Sequence, residues 1–126
     1  MAVTPHELVL EAKSQIKEVG TAEAQGLLGK RVVIDVREYD EYAAGHLPGA
    51  INIPRGVLEF KIGMVPECAN KAGSFLVYCR TSGRAALSTV QLQKIGYGDV
   101  ISMAGGIEVW NNEGRPVEKP EPVNFE

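Results

Sequence analysis

The segment Cys79-Arg80-Thr81-Ser82-Gly83-Arg84 holds the residues of this 126-residue chain best suited to nucleophilic chemistry. Cys79 closes the most apolar run, Phe75-Leu76-Val77-Tyr78-Cys79, and an amphipathic pattern from Gly83 to Ile95, stopped at Gly96, follows within a few residues. The link is therefore a strand–loop–helix turn. Gly83 is free to take unusual backbone angles, so successive N–H groups can curl inward as an anion nest. The helix N-terminus behind them adds roughly half a positive charge, and Arg80 and Arg84 add full charges. Each of these favours thiolate over thiol, and a thiolate at the bottom of an amide-lined cup is a nucleophile. A lone cysteine at a strand end is more often buried and inert. Two arginines and a glycine-bearing turn weigh against that reading here.

The charge pattern points the same way. From Cys68 to Gly98 there is no acidic residue, whereas Lys71, Arg80, Arg84 and Lys94 give that stretch +4 in a chain of net charge −3. A local cationic field in an acidic protein suits a small anionic ligand held at one place. The second cysteine, Cys68, sits in Pro66-Glu67-Cys68-Ala69-Asn70 with no arginine nearby and reads as incidental. Two cysteines build no disulfide framework, and with His6 and His46 they match no zinc spacing, so no metal is expected.

Composition sets the frame. Apolar types make up 44% and charged types 23%, which is globular, and the length is that of one domain. The net charge argues against a nucleic-acid partner. Apolar runs are far shorter than the roughly 18 residues of a membrane span. The first twenty residues carry Glu7, Glu11, Lys13, Lys17 and Glu18, leaving no apolar signal-peptide core. A soluble, cytoplasmic protein without a membrane partner is the expectation.

The remaining elements must position the loop. Thr4-Pro5-His6-Glu7 has the form of a helix start, and Leu8, Val9, Ala12, Ile16 and Val19 continue at helical spacing to Gly20. Further helices are expected at Thr21–Leu28, Glu38–Ala44, Arg55–Ile62 and Ile107–Asn112. Strands are expected at Val32–Val36, Ile51–Ile53, Phe75–Tyr78 and Val100–Ile101, with a tight turn at Gly105-Gly106. The tail from Pro116 to Glu126 shows no periodicity and is expected to lie loosely on the surface. Short apolar strands alternating with helices mean an α/β fold with a parallel sheet covered on both faces. In such sheets ligands bind beyond the carboxyl ends of the strands, where Cys79 falls.

Four segments together resemble the rhodanese family of single-domain sulfurtransferases: Ile34-Asp35-Val36-Arg37-Glu38; Gly45-His46-Leu47-Pro48-Gly49-Ala50-Ile51-Asn52-Ile53-Pro54; Val77 to Arg84; and Gly105-Gly106-Ile107 with Trp110. The resemblance covers 21–115, leaving 1–20 as an N-terminal helical extension and 116–126 as a tail. It implies a five-stranded parallel sheet flanked by helices on both faces, with Cys79 cycling through a persulfide and no cofactor. Thiosulfate or another persulfide donor would supply the sulfur, and a thiophilic acceptor would remove it. Arg80, Thr81, Ser82, Gly83 and Arg84 would bind the substrate. Asp35, costly to bury unpaired, would pair with Arg84 or Arg37, and Asp35 and Arg37 would serve positioning. His46, Trp110 and the glycine pair are read as structural.

Four residues separate Cys79 from Arg84, whereas cysteine phosphatases place five there, so phosphatase or arsenate reductase is the less favoured enzyme. A persulfide carrier delivering sulfur to a protein partner is the other alternative. The apolar face of the first helix can be buried against its own chain, which is favoured, or against a second subunit. Monomer and homodimer both remain open.

Overall fold

The computed structural model describes residues 2–120. Five strands, β1 (Lys17–Val19), β2 (Val32–Asp35), β3 (Ile51–Asn52), β4 (Ser74–Tyr78) and β5 (Asp99–Met103), form one parallel sheet in the order β1-β5-β4-β2-β3. The central position falls to β4, the most apolar segment, because both of its faces are covered and each residue from Phe75 to Tyr78 is buried. Six helices surround the sheet: α1 (Pro5–Lys13), α2 (Thr21–Leu27), α3 (Tyr39–Ala44), α4 (Leu58–Lys61), α5 (Gly83–Lys94) and α6 (Gly106–Asn112).

Strand alternation divides the core in two. On one face Phe75, Val77 and Cys79 pack with Leu58, Ile62, Ala85, Leu92 and Tyr97. On the other, Leu76 and Tyr78 pack with Ala24, Leu47, Ile107 and Trp110. The sulfur-bearing residue therefore belongs to the face covered by α4 and α5.

The first helix is shorter than its apolar spacing suggests. Thr4 and Glu7 form the expected capping box, but α1 ends at Lys13, and Lys17–Val19 is a strand rather than more helix. The Ser14 hydroxyl donates to the carbonyl of Glu11 at 2.6 Å, offering the chain an exit. Beyond it, parallel pairing with β5 (Lys17 opposite Ile101, Val19 opposite Met103) buries Val19 in the sheet. Tertiary pairing outweighs a spacing that a helix and a strand can both satisfy. The helix itself lies along its own chain, with Ala12 packed against Ala86 and Val90 of α5.

Two other expectations change. The segment from Arg55 is not one α-helix: Arg55–Val57 and Ile62–Met64 are 3-10 turns on either side of α4, with Gly56 and Gly63 inside them. The tail is tied down as far as the structure describes it. Glu118 exchanges backbone hydrogen bonds with His46 at 2.9 and 2.8 Å, and the Trp110 indole N–H donates to the Pro116 carbonyl at 2.8 Å. Residues 121–126 lie outside the described part. Among the described residues no helix is long and apolar enough to cross a membrane.

Candidate active site

At the carboxyl edge of the sheet, Cys79 follows β4 directly and is 1% exposed. The Ala85 N–H, in the first turn of α5, donates to its Sγ at 3.3 Å. The N–H groups of Thr81 to Arg84 donate to no other protein group among the described residues. The loop thus presents a run of open amides beside the sulfur, backed by a twelve-residue helix whose N-terminal end faces it.

The rim of the loop is fixed from outside. The Ile107 N–H donates to the Cys79 carbonyl and the Glu108 N–H to the Arg80 carbonyl, each at 3.0 Å, so the start of α6 holds the loop from behind. Gly106 makes that approach possible. Its φ is +62°, and a Cβ there would collide with the carbonyl oxygens of Arg80 and Thr81. The glycine pair read as a structural turn therefore also shapes the Cys79 loop.

Both loop arginines are paired, which the linear sequence conceals. Arg84 makes a two-pronged bond to Glu41 of α3, with Nη1 to Oε1 at 2.8 Å and Nη2 to Oε2 at 3.0 Å. Glu41, not Asp35, is its partner. That hydrogen bonding holds the Glu41 carboxyl down at about 2 and raises the Arg84 guanidinium. Arg80 has a side chain 69% exposed and lies 3.3 Å from Glu108 of α6. The cationic stretch is thus balanced by carboxylates 43 positions upstream and 28 downstream of the arginines they meet. Arg37, Glu41, Arg80 and Glu108 line an open cleft of about 310 Å³ beside the loop, and Cys79 is not among its lining residues.

Asp35 finds Arg37. The carboxylate, wholly buried, accepts from the Arg37 backbone N–H (2.9 Å), Nε (3.0 Å) and Nη2 (2.7 Å), and from the Tyr78 hydroxyl (2.7 Å). Arg37 also donates to the Gly45 carbonyl at 2.7 Å, and the Leu47 N–H donates to the Tyr78 oxygen at 3.1 Å. Burial and the neighbouring Asp35 push the Tyr78 phenol far up, so it stays protonated and keeps donating. This network ties the ends of β2 and β4 to the Gly45–Ala50 turn. It fixes the strand end beside Cys79. His46 is structural as expected: its ring stacks on Tyr42 at 4.0 Å, and Nδ1 lies 2.8 Å from the Leu47 carbonyl.

Sequence reasoning did not single out Glu41, Glu108, Tyr78 or Arg55 for the site. Glu41 and Glu108 are brought there by helices packed across the sheet edge and carry no local motif, whereas Tyr78 adjoins Cys79 within a matching segment. Arg55 enters because its backbone N–H donates to the Val36 carbonyl at 3.1 Å, one strand away from Cys79. No group of His, Cys, Asp and Glu among the described residues could hold a metal ion.

Known proteins are similar to this chain in sequence and in fold. A sulfurtransferase of Allochromatium vinosum is 30% identical over 90 residues, covering 71% of this chain and 80% of its own. A solved Rhodopseudomonas palustris protein, described as of unknown function and a possible tyrosine phosphatase, superposes with a TM-score of 0.82 at 28% identity, covering 94% of this chain and 96% of its own. A human single-domain sulfurtransferase gives 0.71 at 29%, covering 76% and 96% respectively. The family model for the rhodanese-like domain matches residues 20–113. With a cysteine loop closing the central strand, its rim clamped by α6, and that match across three quarters of its length, the chain belongs to the rhodanese-like sulfurtransferase family.

Proposed function

We propose that the chain moves a sulfane sulfur from thiosulfate, or another persulfide donor, to a thiophilic acceptor through a persulfide on Cys79. The observation that carries this reading is the Cys79 sulfur receiving an amide N–H beside a run of amides without protein acceptors among the described residues. In the first step the Cys79 thiolate attacks the outer sulfur of thiosulfate. A new S–S bond forms, the old one breaks, and sulfite leaves with the electron pair. In the second, cyanide or a thiolate attacks the outer sulfur of the persulfide, and Cys79 departs as thiolate. Neither step needs a cofactor, an external oxidant or a general base. The open amides of Thr81–Arg84 are suited to the charge on the bound persulfide.

The similarity to the Rhodopseudomonas palustris protein keeps phosphoryl chemistry as the second reading. The four-residue spacing between Cys79 and Arg84 favours sulfur, since it makes a narrower cup than a phosphate needs. Mass spectrometry after incubation with thiosulfate should show one added sulfur atom, removed by cyanide or dithiothreitol. Aryl phosphate hydrolysis should be negligible. An unmodified protein that turns over aryl phosphate would promote the second reading. Faster sulfur delivery to a protein thiol than to free cyanide would make the chain a carrier.

A further inference from the structure

Six arginines occur in the chain, and five of them meet a carboxylate: Arg31 with Asp99, Arg37 with Asp35, Arg80 with Glu108, Arg84 with Glu41 and Arg115 with Glu113. Arg55 meets none among the described residues, and its Nε is buried without an acceptor. Buried polar groups are nearly always satisfied, so an unpaired guanidinium nitrogen in a folded protein calls for an explanation.

Its location supplies one. Val36 sits between Arg55 and the cysteine strand: its N–H donates to the Tyr78 carbonyl, and its own carbonyl accepts from the Arg55 N–H, both at 3.1 Å. Ile53 and Leu58, on either side of Arg55, are both buried in the apolar cluster that contains Cys79. Arg55 follows the end of β3, at the same carboxyl edge of the sheet as Cys79. The segment that carries Arg55 is therefore anchored on either side in the cluster that holds Cys79, and Arg55 is not among the residues lining the cleft between Arg80 and Glu108.

We infer that Arg55 is the donor-binding cation of the site, receiving the oxyanion end of a sulfane-sulfur donor of the thiosulfate or thiosulfonate class. The inference rests on the sulfurtransferase reading above. A guanidinium offers two parallel N–H groups to two oxygens of a sulfonate head. The loop arginines, already committed to Glu41 and Glu108, keep the rim in shape. When the S–S bond breaks, the electron pair leaves on sulfite, and Arg55 faces the group on which that charge accumulates.

The two half-reactions separate the test. Loading is followed as sulfite release from thiosulfate, and discharge as loss of the persulfide to dithiothreitol. Arg55→Gln should slow loading by about 10- to 100-fold, the range for losing a hydrogen bond to a charged group, and leave discharge within about twofold. Arg55→Lys keeps the charge but loses the fork, so its loading should fall between the two. Native loading should also decline more steeply with salt than that of Arg55→Gln. Should Arg55→Gln fail to fold, Arg55→Lys carries the comparison. Normal loading in the folded variants, or equal losses in loading and discharge, overturns the role of Arg55 while leaving Cys79 as the sulfur carrier. A native protein that takes up no sulfur from thiosulfate overturns both.

Discussion

Cys79 and Cys68 are both free, both buried and both part of the same apolar cluster, yet their surroundings differ in kind. Cys68 ends a 3-10 turn, and burial, with Glu67 beside it, pushes its thiol up to about 11. The hydrogen bond closest to it serves the backbone, with the Tyr97 hydroxyl donating to the Cys68 carbonyl at 2.8 Å. Cys79 sits where a parallel strand ends and a helix begins, and an amide N–H points at the sulfur itself. Burial alone makes a thiol inert; burial beside oriented donors makes a place for a charged sulfur.

The sharpest way to break this comparison is to exchange the cysteines one at a time. Cys79→Ser should take up no sulfur from thiosulfate, whereas Cys68→Ser should load like the native chain. Loss of loading in a folded Cys68→Ser would mean that the two thiols cooperate. Alkylation rates give the same contrast without mutation: Cys68 should stay slow to react until the pH approaches its raised value of about 11.

The next effect is on the support beneath Cys79. Asp35→Ala leaves the Arg37 guanidinium buried without its partner, and the Tyr78 hydroxyl loses an acceptor. Denaturant unfolding should show a loss of about 3 kcal/mol or more. A change below about 1 kcal/mol would show that Arg37 turns out to water instead.

A smaller effect belongs to the rim. Because Arg84 holds the Glu41 carboxyl at about 2 instead of the ordinary 4.5, the pair stabilises the fold fully above pH 4.5 and loses this contribution as the pH falls towards 2. About a third of each side chain meets solvent, so its worth is at most about 1 kcal/mol. Glu41→Gln should flatten the acid limb of the native stability curve between those pH values, and an identical curve would remove the pair from the account.

Least affected should be Arg80→Ala. The side chain is mostly exposed and its charge is shared with Glu108, so the Michaelis constant for thiosulfate should rise only about twofold, and less at high salt. A tenfold rise would return the electrostatic steering to the loop and weaken the case for Arg55.

The Cys79 loop was legible in the sequence because its pattern is local. Cys79, Gly83 and Arg84 lie within six consecutive positions, and the apolar run before them and the amphipathic pattern after them state which side is strand and which is helix. Buried strands and helix stops such as Gly45 and Gly96 are likewise written in short-range pattern. The limits of α1 were not, since Val19 is apolar for a sheet neighbour 84 positions away. Nor were the partners of the loop arginines: Glu41 and Glu108 reach Arg84 and Arg80 only through helix packing, whereas Arg37, two positions from Asp35, was one of the two partners the sequence offered for it. Sequence alone determined the candidate cysteine and the loop that carries it, because backbone geometry there depends on neighbouring residues. Tertiary structure decided the charge balance around it and left Arg55 without a carboxylate among the described residues, because ion pairs form between groups that only packing brings together.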